Sequence, residues 1–288
     1  MTGLSDFYAK NLLNVATGQT AFPALPSVFL ALFTAVGTDA NTGFTEVSTS
    51  GTAYARIQVA GVATAAGTIS TASATITMPN VSGFPWVVAG MSVYDTTNNK
   101  TIGTVLTWVG TTLTLTSNAA NNGSGGTDVL SFSIWPQASG SAPSSLTNGA
   151  AISFAQATAN FGTVVAWGVY DAVTSGNLLW WDYMGAFSWL PATVSSASPG
   201  VITSHAHGYS NGDSFVFSTE YGGVAPTFSA GNYNGLLTVA GVTTDTFNVT
   251  GVNTSATGGG LVRKVIQQSI PNGVTATFAA STFALSMA

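Results

Sequence analysis

At the start of the chain Leu4, Phe7, Tyr8, Leu12 and Leu13 recur at helical spacing, which gives residues 4–13 one apolar face. Ser5 stands where an N-cap side chain accepts from the first free amides, and Gly18 where a helix stops. From Val28 onward the period changes. β-Branched and aromatic runs are bounded by Gly, Asn, Ser and Pro: VFLALFTA, YARIQVAG, TVLTWVG, TLTLTS, VLSFSIW, TVVAWGVYD, NLLWWDYM, SFVFS, GLLTVAG, DTFNVTG, ATFAAS and TFALSMA. Short strands separated by turn residues predict an all-β chain, of sandwich, jelly-roll or small-barrel type, behind a short N-terminal helix. They are more strands than one simple sandwich needs.

A weak internal repeat organises these strands. Residues 103–126, GTVLTWVGTTLTLTSNAANNGSGG, lie beside 235–260, GLLTVAGVTTDTFNVTGVNTSATGGG, and GMSVYD (Gly90 to Asp95) lies beside GDSFVF (Gly212 to Phe217). Each hexapeptide follows an earlier strand, TASATITM in one case and PGVITSH in the other. The repeat predicts two small β modules, at 64–133 and 190–264. The remainder, 1–63 plus 134–189 plus 265–288, then forms a jelly-roll or β-sandwich host domain into which both modules are inserted. Insertions of this kind sit at exposed loop tips, so both modules are expected to project.

Composition changes the picture in one respect. Only 5% of the residues are charged, against roughly 25% in ordinary domains, while the hydrophobic fraction is 45%. Ser, Thr, Asn, Ala and Gly take the place of the usual Lys and Glu surface. With 16 Phe, 8 Tyr and 7 Trp the chain is expected to fold. A net charge of −5 with five basic residues, Lys10, Arg56, Lys100, Arg263 and Lys264, disfavours nucleic acid as a partner. There is no cysteine, hence no thiolate chemistry and no disulfide. The start MTGLSDFYAKNLL lacks the pattern of a signal peptide, and the apolar run Val28 to Val36 is too short to span a bilayer, so membrane insertion is not expected.

Candidate chemistry concentrates in VITSHAHGYSNGDSFVF, residues 201–217. His205 and His207, the only histidines, would face the same way on a strand and could present two imidazoles to a metal. On a threefold axis such a pair would supply six nitrogens. The first module lacks a histidine in its equivalent turn, VSGFPWVVAGM, so the turn-residue reading is favoured: an imidazole bonded to nearby backbone. Gly208 to Gly212 spells G-x-S-x-G, yet the residues that follow, DSFVFSTE, read as a strand and not the helix of a nucleophile elbow, which removes Ser210 as a nucleophile. Asp171 and Asp182 end adjacent predicted strands and invite comparison with a glycosidase pair. Asp171 before AVTSGN reads instead as a turn residue bonded to backbone amides. No catalytic residue, metal site or cofactor is therefore assigned.

The host segments resemble a family of tailed-bacteriophage virion proteins, of tail-fibre or head-spike type. The resemblance is carried by LSDFYAKNLL, VFLALFTA, TAYARIQV, ANFGTVVAWGVYDAVTSGNLLWW and PNGVTATFAASTFALSMA, and most of all by Trp167-Gly168-Val169-Tyr170-Asp171 with Gly176-Asn177-Leu178-Leu179. The second module, with its HGYSNGD turn and VTTDTFNVTG hairpin, resembles a small β barrel inserted in ubiquitin-activating enzymes and found in phage structural proteins. These resemblances imply a non-enzymatic virion protein, made in the host cytoplasm. A capsid decoration, cement or head-spike subunit is the first expectation, and a tail fibre or carbohydrate-binding adhesin the alternative. Expected partners are copies of the chain itself, as a trimer, other virion proteins such as the major capsid or tail proteins, and a host-surface glycan. In the adhesin alternative Trp86, Trp108 or Tyr221 would stack on sugar rings.

Overall fold

The computed structural model describes residues 3–20, 27–79, 81–120, 127–138, 144–185, 188–219, 223–228 and 236–287. A two-residue strand β1 (Gly3–Leu4) leads into α1 (Asp6–Ala16), where Ser5 is the N-cap and its Oγ accepts from the Tyr8 amide at 3.2 Å. β2 (Ser27–Ala35) and β3 (Thr45–Glu46) follow. The next six strands are β4 (Ile57–Thr68), β5 (Thr75–Thr77), β6 (Ser92–Asp95), β7 (Lys100–Val109), β8 (Thr112–Leu115) and β9 (Thr127–Ser133). Three short strands, β10 (Ser144–Thr147), β11 (Ile152–Ser153) and β12 (Gly162–Val164), precede β13 (Ala166–Tyr170) and β14 (Leu178–Tyr183).

A second group comprises β15 (Leu190–Val194), β16 (Val201–Thr203), β17 (Ser214–Ser218), β18 (Thr227–Phe228), β19 (Leu237–Ala240), β20 (Thr246–Val249), β21 (Thr254–Ala256) and β22 (Gly258–Val265). The chain ends with β23 (Gln268–Ile270), β24 (Thr277–Phe278) and β25 (Ala284–Met287). Among the described residues the fold is all-β apart from α1 and a 3-10 turn at Val81–Gly83.

The host is a sheet in the order β1-β14-β13-β2-β4, faced by a ribbon in which β10, β11 and β12 pair antiparallel with β25, β24 and β23. VFLALFTA reads as a continuous apolar run because both faces of β2 are covered. Leu30 and Leu32 enter the core shared with the ribbon residues Ile152, Phe154, Phe161 and Phe283. Ala31 and Phe33 face the other way, with Tyr170, Trp181 and Tyr183. Gly168, opposite Ala31, is required by packing, since a Cβ there would stand 2.5 Å from the Phe33 ring.

Strands β4 to β9 close into a ring, β4-β5-β8-β7-β6-β9 and back to β4. Strands β15 to β22 close into another, β15-β16-β20-β19-β17-β22. The two rings visit corresponding strands in the same order, and the residue register agrees around them. Leu130 stands opposite Asp95 as Val262 stands opposite Phe217. Approached from the other neighbour, Thr68↔Thr127 matches Thr193↔Gly259, which again places Leu130 with Val262. GMSVYD and GDSFVF hold the same place, with Ser92 corresponding to Ser214. The hairpins correspond with Thr104 beside Thr238 in the numbering of the two rings, two residues away from the alignment that lays Gly103 on Gly235.

The barrels differ in attachment. β4 pairs with β2 through Ile57–Gly61 and with β9 through Ala60–Thr68, so one strand belongs to the host sheet and the first barrel at once and runs across the 63/64 division drawn from the sequence. The apolar interior follows suit: Ile76, Val93, Leu113, Leu130 and Phe132 form one cluster with host residues. The expectation of a projecting insertion separable at its ends does not describe this barrel, because its first strand is a host strand. The second barrel has its own core, Ile202, Phe215, Phe217, Val239, Phe247, Val249 and Val262 among others. It meets the host through Val216 and Val265, which join the outer face of the host sheet.

Candidate functional site

HAHGYSNGD is a turn, and that separates the histidines. Ala206 has φ +49°, so His205 and His207 are not successive same-face residues of a strand. The His205 side chain is 91% exposed, with Nδ1 2.9 Å from Asp245 Oδ1. The Ala206 amide, and after it His205, hold the Asp245 carboxyl below its ordinary value. His207 is buried: Nδ1 accepts from the Tyr209 amide at 3.0 Å, and its ring meets Phe247 edge-on at 5.0 Å. Because Nδ1 is an acceptor it carries no proton, which places the proton on Nε2, 3.4 Å from the Thr246 carbonyl. A metal ion on Nδ1 would have to displace the Tyr209 amide. Among the described residues no group of three or more His, Cys, Asp or Glu comes together.

Ser210 lies in the same turn. Its amide donates to Asp213 Oδ2 at 2.7 Å while the Asp213 amide donates back to its carbonyl at 3.1 Å, and Gly212 (φ +89°) hands the chain directly to β17. A strand, not a helix, follows the G-x-S-x-G.

The two aspartates are held in separate tasks. Asp171 Oδ1 accepts from the Asn177 amide at 2.7 Å and Oδ2 from Asn177 Nδ2 at 2.8 Å, closing the turn between β13 and β14. Asp182 Oδ1 and Oδ2 accept from Arg263 Nη1 and Nη2 at 2.7 and 3.1 Å. Arg263 Nη2 also donates to the Gly185 carbonyl at 3.1 Å, and the guanidinium lies 5.7 Å from the Trp189 ring centre. This bidentate pair joins β14 of the host to β22 of the second barrel, with the Arg263 side chain only 8% exposed. The sequence reading missed Arg263 as a site residue. Its signal was the adjacent pair Arg263-Lys264 in a chain with five basic residues.

Trp108 stacks on Phe84 and Phe132, at 5.2 and 5.6 Å between ring centres, and Trp86 meets Phe132 edge-on at 6.1 Å. Both tryptophans are packed against the first barrel's interior instead of standing free as stacking platforms. Tyr221 lies outside the described residues.

At the junction of β17 and β22 the second barrel opens a cleft of about 420 Å³, lined by Gly212, Asp213, Ser214, Lys264, Ile266 and Gln267 among others. Lys264 Nζ lies 2.6 Å from Asp213 Oδ2, with side chains 24% and 20% exposed. Gln267 Nε2 donates to Ser214 Oγ at 2.6 Å.

No curated protein and no solved structure matches the chain. A family described as Podophage GP4 fiber I protein gp80 matches it over residues 3–134 and 114–188, which takes in α1, the host sheet and the first barrel and stops short of β15. With these matches spanning more than half of its length, the chain belongs to this podophage fibre-protein family and is a phage virion structural protein.

Proposed function

We propose that the chain is a non-enzymatic fibre subunit of the phage particle, joined to copies of itself and to other virion proteins through the host layer, with the second barrel displayed outward. We take the fibre reading from the wording of the family description, where the sequence analysis placed a capsid decoration, cement or head-spike role first and a tail fibre as the alternative. The observation that carries self-association is the surface. Leu13, Val109 and Val224 are 66%, 74% and 67% exposed in a chain with 5% charged residues. Contacts built from such residues desolvate little charge and order few long side chains. A homotrimer is the expected state. The roles of Asp171, Asp182 and Ser210 in turns and in the barrel contact support a protein without a reaction of its own.

Gold-labelled antibody against residues 190–264, imaged on intact virions, tests the placement. Label confined to projecting fibres is expected, and label spread evenly over the capsid shell would replace this reading with a decoration protein. Native mass spectrometry of the purified chain checks the trimer. A monomer throughout, in solution and extracted from virions, would remove it.

A further inference from the structure

The two barrels are controls for one another at the end where β6 and β17 begin. In the first barrel that end is filled with apolar side chains: Met91, Phe132, Ile134 and Trp135 are 1%, 1%, 2% and 8% exposed, and Trp86 and Trp108 pack on Phe132. The register gives the counterparts. Val93↔Phe132 corresponds to Phe215↔Lys264, and Ser92↔Ser133 to Ser214↔Val265. Asp213 therefore stands where Met91 stands, Lys264 where Phe132 stands, and Ile266 and Gln267 where Ile134 and Trp135 stand.

Lys264 is at an inward position of the barrel wall, two residues after the core residue Val262. A barrel of this topology closes the position with an aromatic ring in one case and leaves a polar cleft in the other, so closing the barrel does not require the lysine. Holding an ammonium and a carboxylate at a partly buried mouth carries a desolvation cost that a phenyl ring does not. Both groups are nonetheless fixed, Asp213 by the Ser210 amide and the two together by their 2.6 Å contact.

We propose that this cleft is a binding site for a neutral saccharide. Its polar lining pairs an ammonium with a carboxylate and an amide with a hydroxyl, so both donors and acceptors stand in one cleft, as the hydroxyls of a sugar ring require. Ile266, 39% exposed, offers an apolar surface to the C–H face of the ring. The Lys264 and Asp213 charges cancel, which disfavours phosphate, polyanions and cations as ligands. The volume of about 420 Å³ lies in the range of small-ligand sites, roughly 300–1,000 Å³. The site does not depend on where the fibre is attached, so its failure would leave the placement of the subunit untouched.

The test uses the full chain with isotope-labelled Ile, Leu and Val methyl groups and a panel of maltotriose, galactobiose, N-acetylchitotriose and sialyllactose. One of the neutral sugars is expected to shift the Ile266 and Val265 methyl signals and to receive saturation transfer from them. Lys264→Gln is expected to weaken that sugar roughly tenfold or more, the scale of one lost charge-assisted hydrogen bond, and Gln267→Ala about two- to tenfold, the scale of a neutral one. Lys100→Ala, away from the cleft, leaves binding unchanged. Melting curves recorded on each variant separate lost binding from lost folding, and Gln267→Ala, with an exposed side chain, carries the test if Lys264→Gln unfolds. Absence of any shift from the panel at millimolar sugar, binding that survives both cleft variants, or preference for the anionic sialyllactose would each overturn the proposal.

Discussion

The first barrel and the second share ring order and register, yet one is fused to the host and the other is held against it. β4 is simultaneously a host strand and a barrel strand, and the first barrel's interior continues into the host core. The second barrel closes over a core drawn wholly from residues 190–262, and its contact with the host rests on Val216, Val265 and the Arg263–Asp182 pair. The charged positions are reversed as well. Where the second barrel has Asp213 and Lys264 at one end, the first has Met91 and Phe132. Where the first has Asp95 and Asp128 at the opposite end, the second has Phe217 packed against Gly260. One topology thus tolerates polar groups at either mouth, provided the other end and the middle stay apolar.

The comparison is broken most directly by separating the parts. A fragment of residues 188–267 is expected to fold alone, with a cooperative melt by circular dichroism and dispersed amide signals. A fragment of residues 57–135 is expected to lack both, because it leaves behind β2 and the host side of its core. Equal cooperativity in the two fragments would erase the distinction between fused and held.

Next in size is the pair that holds the second barrel. Asp182→Ala leaves the guanidinium of Arg263 buried without its carboxylate, which is expected to cost about 3–5 kcal/mol in chemical denaturation. Replacing both, with Asp182→Leu and Arg263→Met, should recover most of that loss, since the penalty comes chiefly from the stranded charge. If the single and double variants are equally destabilised, the contact is held by something other than this pair.

How far the chain could be read in advance follows the same division. Local patterns carried α1 with its Ser5 cap, the central strands, the Asp171 turn and the strand after G-x-S-x-G, because each depends on neighbours within a few residues. β22 was not recognised, since Gly258-Gly259-Gly260 reads as a loop tail. Gly260 is demanded by the closed ring, where a Cβ would meet the Ser218 carbonyl at 2.2 Å, and Gly258 by the Val224 carbonyl, which a Cβ would meet at 2.6 Å. Arg263 and Asp182 are 81 residues apart, and Lys264 becomes notable only when the first barrel shows what the position otherwise holds. The same-face geometry that a shared metal would need is absent for a local reason: Ala206 takes a left-handed conformation that the residue type does not announce.

The histidines sharpen the comparison at the level of one turn. His207→Ala removes the acceptor for the Tyr209 amide and a ring packed on Phe247, so the second barrel should lose about 1–2 kcal/mol while the first is unaffected. His205→Ala, at an exposed side chain, should change stability by less than about 0.5 kcal/mol. Methyl signals of the two barrels, followed separately through a thermal melt, read both. A larger loss from His205 than from His207 would reverse their assigned roles.

The smallest expected effect lies at the acidic end of the first barrel. Burial, and after it the charge of Asp95, hold the Asp128 carboxyl above its ordinary value, while an Asn98 side chain opposes them. For an acid raised in this way the folded state favours the neutral form. Below the unfolded value, about 3.9, both states are protonated and nothing is lost. As pH rises through the folded value the native chain must ionise Asp128 beside Asp95, so stability falls and then levels off. Asp128→Asn keeps a carbonyl oxygen for Asn98 and removes the like charge. The variant should therefore match the parent near pH 3 and become more stable as pH rises above about 4, by about 0.5 kcal/mol. The first barrel's methyl signals are the place to read it, since the second barrel has Gly260 at the corresponding position and should be indifferent. A variant less stable than the parent at neutral pH would mean that the Asp128 charge is compensated in the native barrel, and the acidic end of the first barrel would then be a stabilising feature and not a tolerated one.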